Sequence, residues 1–347
     1  MYTIRMGITS FSFTSILLLI GTVLFAKLIE DFIVLKRQHS EEQDSLEILK
    51  RYPERIIDEM CSEKFFDCYL IADMYDNKTE RPLAFRVLRL KGHGGFLQLS
   101  KARLLIPQPM SYKTLDTRKW ELDKTTVRLR YARMMISGIF FSEAVEYNSP
   151  KVSNVLMFGL GGGVINNYLT TMPGQKFNVT VVDIDPVMKR IAEKWYAFEE
   201  TDMHRIIVED GVEFINKDQG VKYDAILVDV SDTDMKPLIC PIQSFLKDDL
   251  ISNLYYNLAD TGVVIVNIIT APSFIQAGSE LVLKRFEGHF NFCVLLPTST
   301  FERMLFCFKR KPWNNDPNKL HEHVMKMDRE LGFHLKDGGK YESSDKW

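Results

Sequence analysis

Short apolar runs alternate with segments of helical periodicity across residues 152–308. Runs of this length, each bounded by polar or glycine-rich residues, predict strands, and the segments between them predict helices. Regular alternation of strand and helix predicts an α/β fold with a mostly parallel sheet covered by helices. Only a short turn separates the last two runs, which predicts an antiparallel hairpin at the sheet edge. The predicted strands are 154–158, 178–183, 205–208, 223–229, 263–269, 292–296 and 304–308.

The residues before this region follow two other patterns. Apolar and polar positions alternate over 64–106, as in Phe85-Arg86-Val87-Leu88-Arg89-Leu90, which predicts a small antiparallel sheet. Residues 126–142 predict a helix, and Pro150 marks the boundary with the α/β region.

The N-terminus carries no charge from Met6 to Ala26. About 20 predominantly apolar residues suffice to cross a bilayer as a helix, so the segment predicts a single-pass membrane anchor, with the endomembrane system as the expected location. A cleaved signal peptide and a buried helix are the alternatives, although Leu24-Phe25-Ala26 offers only one small residue for cleavage.

The side of the membrane that holds the catalytic domain stays open. Lys27, Lys36 and Arg37 outnumber Arg5, which favours a cytosolic domain. The triplet Asn77-Lys78-Thr79 is a glycosylation acceptor, which is used only in the lumen.

Charge and cysteine content exclude other classes of function. The formal net charge of -2 and the scattered lysines and arginines give no reason to expect nucleic-acid binding. The five cysteines show no zinc spacing, and their odd number predicts buried free thiols rather than a disulfide framework. His321-Glu322-His323 lacks the spacing of a metalloprotease helix, so no metal site is predicted.

A glycine-rich turn follows the first strand of the α/β region. Gly159, Gly161 and Gly163 form Gly-x-Gly-x-Gly, whereas the dinucleotide fingerprint requires a glycine at the position of Val164. Glycines let the backbone approach a ligand closely, and the helix that follows offers free N–H donors. The spacing favours S-adenosylmethionine, whose carboxylate and adenosine can use the same backbone without any phosphate.

Carboxylates at the next two strand ends fit an adenosine group. Asp183 can accept both ribose hydroxyls, Asp210 is placed for the adenine amino group, and Gly211 leaves room for the ring. Asp210 has helix capping as its alternative role, and Asp185, which precedes Pro186, is predicted to be a cap.

These segments resemble the spermidine-synthase-like branch of class I S-adenosylmethionine-dependent methyltransferases over about residues 125–310. Cys240-Pro241 and Phe245-Leu246 also resemble the C-terminal domain of the dual methyltransferases that modify elongation factor 1-alpha. The resemblance implies a seven-stranded Rossmann-like sheet, a cofactor site at the glycine loop and substrate entering near Asp229. It also allows a homodimer.

The resemblance further implies roles for Asp229 and Asp232. They match the Asp-x-x-Asp of spermidine synthases, which holds the amine substrate and whose first Asp assists deprotonation. The Tyr-Gln-Glu segment of those enzymes is replaced by Tyr131-Ala132-Arg133-Met134, which disfavours aminopropyl transfer.

The predicted organisation runs through five segments. They are an anchor or signal at 1–27, a stem and leading helix at 28–63, a small β region plus a helix at 64–150, a Rossmann-like cofactor-binding domain at 151–311, and a C-terminal helix with a polar tail at 312–347.

Methyl transfer to an amine, in a protein or a small molecule, is the predicted function. Asp229 would hold the amine and accept its proton, with capping of the next turn as its alternative role. A protein lysine or N-terminus is the expected acceptor. Two alternatives stay open: aminopropyl transfer from decarboxylated S-adenosylmethionine, and a catalytically inactive, membrane-tethered binding domain.

Overall fold

The computed structural model describes residues 13–76, 82–92, 98–217, 220–234 and 236–335. The chain divides into two compact units, one of Met1–Tyr52 with Pro107–Lys119, and one of Pro53–Ile106 with Trp120–Trp347. The glycosylation triplet at Asn77 lies outside the described residues.

The first unit is built on one long helix, α1 (Phe13–Arg51). Good helix formers dominate its C-terminal half, and the helix ends just before Pro53, whose ring is incompatible with a helix interior. Near that end, the Tyr112 hydroxyl donates a 3.0 Å hydrogen bond to Asp44. The helix exposes a series of large apolar side chains, among them Leu18, Val23, Leu24, Phe25, Leu28 and Phe32.

Within the described part of the chain, no helix combines the length and the apolarity that crossing a membrane requires. The predicted anchor at 6–26 begins outside the described residues, since 6–12 are not among them. The anchor therefore stays a prediction.

A five-stranded antiparallel sheet opens the second unit, with its strands in chain order. Its first strand corrects the sequence prediction, which assigned 28–63 to a stem and a helix. Pro53 ends α1, and the next eight residues pair with the following strand instead. The strands are β1 (Glu54–Cys61), β2 (Cys68–Asp76), β3 (Leu83–Leu90), β4 (Gln98–Leu104) and β5 (Leu122–Asp123).

The rest of the second unit alternates helices and strands, as the apolar pattern predicted. The elements are α2 (Arg130–Phe141), β6 (Val152–Phe158), α3 (Val164–Thr171), β7 (Lys176–Asp183), α4 (Pro186–Trp195), β8 (His204–Val208), α5 (Gly211–Ile215), β9 (Tyr223–Val228), β10 (Leu238–Cys240), α6 (Asp248–Asn257), β11 (Leu258–Thr270), α7 (Ile275–Glu287), β12 (Phe292–Pro297), β13 (Glu302–Phe308) and α8 (Pro317–Leu331).

These strands form one large sheet in the order β12-β13-β11-β9-β6-β7-β8, with β10 paired to β11. The pairs from β11 to β8 are parallel, whereas β13 runs antiparallel to both of its neighbours. The α/β Rossmann-like class and the antiparallel hairpin are confirmed. The expected seven strands become eight among the described residues, because β10 has only three residues, too few for an apolar pattern to stand out.

The sheet separates two hydrophobic layers. Successive residues of β6 alternate between them: Val155 and Met157 pack in the layer of α2, α3 and α4, while Leu156 and Phe158 pack in the layer of α5, α6 and α7. Each fully buried apolar side chain contributes about 1.5–3 kcal/mol to folding. The register of these parallel pairs aligns the carboxyl ends of β6, β7 and β9 at one edge.

The cysteines also differ from the sequence prediction. Cys61 is bonded to Cys68 and Cys293 to Cys307, and only Cys240 is a buried free thiol. Each bonded pair consists of directly opposed residues on neighbouring antiparallel strands. The expectation of free thiols was wrong for these four because sequence spacing does not reveal which strands pair.

Candidate functional site

A cavity of about 550 Å³ lies in the second unit, at the carboxyl ends of β6, β7 and β9. This is where open parallel sheets bind ligands, and the volume is ordinary for a small-molecule site. Strands of the small sheet, the start of α2 and the β12–β13 hairpin complete its wall. Its polar lining includes Gln98, Arg130, Tyr131, Asp183, Asp185, Asp229, Ser231, Asp232, Thr233, Asn267, Thr270 and Glu302.

The glycine loop forms one side of the cavity. Gly159, Gly161 and Gly163 have φ angles of +89°, +53° and +79°, which residues with a Cβ rarely adopt. A Cβ on Gly159 would lie 2.1 Å from the carbonyl oxygen of Asp229. Gly159 and Gly161 line the cavity, whereas Gly163 caps α3 and is not among the lining residues.

Asp183 is held by backbone donors on both carboxylate oxygens. The N–H of Leu160, in the glycine loop, donates to one oxygen at 2.8 Å, and the N–H of Asp185 donates to the other at 2.9 Å. Burial raises the pKa of Asp183 to about 6. A carboxylate has about four lone-pair sites, so the fixed group retains acceptors for a ligand with paired hydroxyls.

The small sheet contributes to the glycine loop through a residue that the sequence analysis missed. The buried Ser100 hydroxyl of β4 accepts a 2.8 Å hydrogen bond from the N–H of Gly162. The bond satisfies a backbone donor that would otherwise be buried without a partner. No sequence pattern marked Ser100, because the contact joins residues of two different sheets.

Two predicted cofactor residues, Asp210 and Gly211, lie at the start of α5, and their role at the cofactor stays a prediction. Asp210 caps α5 by accepting a 2.8 Å hydrogen bond from the N–H of Val212, and neither it nor Gly211 is among the residues that line the cavity. A Cβ on Gly211 would lie 2.8 Å from the Phe158 ring, so this glycine allows close packing in the core. Asp185 caps α4 as predicted, and it also lines the cavity.

Asp229 lies directly after β9, across the cavity from Asp183. Its carboxylate accepts a 2.9 Å hydrogen bond from the side-chain amide of Asn267 on β11. Burial raises the pKa of Asp229, while Asn267 and the neighbouring Tyr131 hydroxyl partly oppose that rise. The group is therefore a buried carboxylate with a stronger affinity for a proton than usual.

Asp232 lines the same cavity but has a different environment. Its carboxylate accepts hydrogen bonds from the Lys236 ammonium and, at 3.1 Å, from the N–H of Asp234. Burial raises the pKa of Asp232, but these bonds outweigh it and lower the pKa below its usual value. Asp232 is thus a charged carboxylate that is paired with the exposed Lys236, and Asp229 is the better proton acceptor.

Sequence reasoning also missed Asn267 and Glu302. Asn267 is the single polar residue in the run Val263–Ile269, and such an exception in a buried strand is a usable signal. Glu302 begins β13, and only the pairing of β13 with β11 brings it to the cavity. Together the lining residues provide a site for a ribose-bearing ligand at one end and an acidic pocket at the other.

No family model matches the chain. The chain is similar to the eEF1A lysine and N-terminal methyltransferase of Homo sapiens, at 27% identity over 195 residues, which are 51% of this chain and 28% of the relative. The homologous protein of Drosophila melanogaster is 27% identical over 139 residues, 39% of this chain and 20% of the relative. The polyamine aminopropyltransferase of Vibrio vulnificus is 27% identical over 164 residues, 47% of this chain and 50% of the relative. The chain thus spans between a fifth and a half of these curated relatives' length.

Two solved structures share the fold. Human methyltransferase-like protein 13 in complex with SAH gives a TM-score of 0.53 at 22% identity, covering 58% of this chain and 92% of that chain. A probable spermidine synthase from Corynebacterium glutamicum gives a TM-score of 0.56 at 14% identity, covering 79% of this chain and 87% of that chain. The chain resembles S-adenosylmethionine-dependent methyltransferases of the spermidine-synthase-like branch, as its motifs predicted.

Proposed function

We propose that the chain is an S-adenosylmethionine-dependent methyltransferase that acts on an amine of a protein, either a lysine side chain or an N-terminus. One observation carries the proposal: a single cavity is lined by the glycine loop and Asp183 on one side and by Asp229 on the other. The curated relatives that are eEF1A lysine and N-terminal methyltransferases support the same reaction class.

The residues at the glycine-loop end fit this cofactor. Gly159 and Gly161 line the cavity with backbone atoms against which an adenosine group can lie. A Cβ on either residue would collide with the Asp229 carbonyl oxygen or the Ser100 hydroxyl, so the loop requires glycine at both positions. Asp183, fixed by Leu160 and Asp185, offers lone pairs to a ribose diol. When bound, S-adenosylmethionine supplies a methyl group on a sulfonium, which is already activated towards a nucleophile.

The chain's own task is then to present a neutral amine. An ammonium has no lone pair for attack, so its proton must leave before transfer. Asp229 is suited to take that proton because burial raises its pKa, while Asn267 holds one of its oxygens in place. Burial of the reacting groups also keeps bulk water from competing for the amine.

The test is transfer of tritium from methyl-labelled S-adenosylmethionine by the full chain in detergent. Two acceptors are offered, intact eEF1A and a peptide with one lysine and a free N-terminus. Labelling by the wild type, with loss in Asp229→Asn while S-adenosylhomocysteine still binds, supports the proposal. Labelling of the peptide alone restricts the acceptor to another protein. Labelling of neither acceptor, by a wild type that binds S-adenosylhomocysteine, contradicts methyl transfer to eEF1A and to lysines or N-termini of unfolded peptides.

Aminopropyl transfer is the second candidate, since Asp229 and Asp232 retain the Asp-x-x-Asp spacing and the Vibrio relative is an aminopropyltransferase. Asp232 bonds Lys236, which weakens its availability for a polyamine. Incubation with putrescine and decarboxylated S-adenosylmethionine distinguishes the reactions, because only an aminopropyltransferase produces spermidine.

We also propose that the chain is a single-pass protein of the endomembrane system, anchored by residues 6–26. The uncharged sequence of that segment supports the proposal, and so do the large apolar side chains that α1 exposes. The two disulfides favour the oxidising, lumenal side, because cytosolic thiols are kept reduced. Carbonate extraction of membranes tests the anchor, and protease protection tests which side of the membrane holds the catalytic domain.

The homodimer stays a prediction, which sedimentation velocity tests.

A further inference from the structure

A second carboxylate faces the cavity from the strand next to Asn267. In the β11–β13 ladder, Glu302 pairs directly with Ile269, which lies two residues beyond Asn267. Side chains two apart on a strand share a face, and directly opposed residues do too. Asn267, Ile269 and Glu302 therefore project from the same face of the sheet, and all three line the cavity.

Asp229 belongs to the same row of side chains. Val228 pairs with Val266, so Asp229 lies beside Asn267, to which it is hydrogen-bonded at 2.9 Å. The strands of Asp229 and Glu302 flank β11 and are therefore about 10 Å apart, or two strand spacings. Glu302 also lies two residues, or roughly 7 Å, further along the sheet than Asp229. Both carboxylates line the same cavity of about 550 Å³, which leaves a gap between them that a small cation can occupy.

The charges and hydrogen bonds around this gap favour a donor-rich cation. Five of the described lining residues are acidic, whereas Arg130 is the single basic one among them. No described basic side chain forms an ion pair with Glu302 within 4.0 Å. The side-chain amide oxygen of Asn267 is buried and has no hydrogen-bond partner, so the pocket has an unused acceptor. Burial raises the pKa of Glu302, and the negative charge of Asp229 adds to that rise, while Ser299 and the positive charge of Arg130 oppose it.

We propose that Asp229, Asn267 and Glu302 form a seat for the ammonium form of a primary amine, and that Glu302 determines specificity for such acceptors. An ammonium has three N–H donors and no acceptor, which matches two carboxylates and one amide oxygen. Substrates that offer a hydroxyl or a carboxylate for methylation carry no positive charge at that group. This inference rests on the proposed function, because it names the acceptor class of the same site.

A purely structural role for Glu302 is separable from this one. Its backbone carbonyl accepts hydrogen bonds of 3.2 Å from the N–H groups of Thr298 and Ser299, which close the hairpin turn. Glu302→Gln retains those backbone bonds and the side-chain size, and it removes only the charge. A structural role predicts no effect of this variant on amine affinity.

The test measures binding rather than turnover, using the full chain in detergent, saturated with S-adenosylhomocysteine. The probes are Nα-acetyl-lysine methylamide and the uncharged norleucine analogue, titrated by calorimetry. We expect the lysine probe to bind the wild type and to bind Glu302→Gln about 10-fold to 100-fold more weakly, as for a hydrogen bond to a charged group. Glu287→Gln, which removes an exposed charge outside the cavity, is the matched control and should bind like the wild type.

Equal affinity of the wild type and Glu302→Gln for the lysine probe would overturn the inference. Equal affinity of the wild type for the lysine and norleucine probes would overturn it as well. If S-adenosylhomocysteine itself does not bind, the proposed function fails. The amine titrations are then repeated on the protein alone and read in the same way.

Discussion

The side-chain amide of Asn267 donates a 2.9 Å hydrogen bond to the carboxylate of Asp229, which joins β11 to the end of β9 at the floor of the cavity. The bond fixes one oxygen of a buried acid and stabilises its charged form. It therefore affects both the position and the proton affinity of the group that we assign to the amine.

Replacement of Asn267 by leucine should reduce methyl transfer while leaving cofactor binding intact. Loss of a hydrogen bond to a charged group costs about 1.5–3 kcal/mol, which corresponds to about a 10-fold to 100-fold drop in kcat/KM. The pKa of Asp229 should rise further, so the acidic limb of the pH–rate profile should move to higher pH. Asn253→Leu, outside the cavity, is the control. An unshifted acidic limb in Asn267→Leu would argue against Asp229 as the proton acceptor.

Gly159→Ala should abolish cofactor binding because its Cβ would lie 2.1 Å from the Asp229 carbonyl oxygen. Gly92→Ala is a close control: its φ is +92°, against +89° at Gly159, and nothing lies within 4 Å of its added Cβ. Positive φ alone costs an alanine about 1–2 kcal/mol, so both variants should unfold at lower denaturant concentration. Only Gly159→Ala should lose S-adenosylhomocysteine in calorimetry. Equal losses in both variants would attribute the effect to general destabilisation.

Asp183 should make cofactor binding depend on pH. Its pKa is about 6, so the carboxylate becomes protonated as pH falls below 6 and loses acceptors for the ribose hydroxyls. We expect the Kd for S-adenosylhomocysteine to increase by up to about tenfold per pH unit between pH 6 and 5, as for one linked proton. Asp183→Asn should bind weakly at every pH. A wild-type Kd that stays constant from pH 7.5 to 5 would contradict the assignment.

The same group should affect stability with the opposite sign. Because the pKa of Asp183 is about 6 in the folded chain and 3.8 ordinarily, the folded state binds the proton more tightly. Without ligand, the free energy of unfolding of the wild type relative to Asp183→Asn should therefore rise as pH falls from 7 towards 4. Urea denaturation of both proteins at several pH values measures this difference, and a constant difference would contradict it.

The cysteine pairs should be detectable in the protein isolated from membranes. Non-reducing digestion and mass spectrometry should find Cys61 linked to Cys68 and Cys293 linked to Cys307, with Cys240 alkylated only after denaturation. Each pair closes a short loop between neighbouring strands, and removal of native disulfides costs small secreted domains about 2–5 kcal/mol. Alkylation of all five cysteines without reduction would place the domain in a reducing compartment.

The large sheet was predictable because its strands are buried on both faces and therefore appear as short apolar runs. The glycine loop and Asp183 were predictable for a related reason, since a turn and a carboxylate at successive strand ends leave a local signal. β1 was missed because its pattern of half-buried residues follows a charged helical segment without any turn beyond Pro53.

Three residues that support the glycine loop and Asp229 could not be predicted in the same way. Ser100, Asn267 and Glu302 come from three strands of two sheets, and only tertiary pairing places them beside the glycine loop and Asp229. For Asp210 the structure shows the alternative role, since its side chain caps α5, and its contact with adenine stays a prediction.

Calorimetric titration of the full chain with S-adenosylmethionine, and separately with its decarboxylated form, is the decisive measurement of the cofactor site. We expect S-adenosylmethionine to bind, with a clear preference for it over the decarboxylated form. A preference for the decarboxylated form would indicate polyamine synthesis instead, and binding of neither would contradict a cofactor site at the glycine loop.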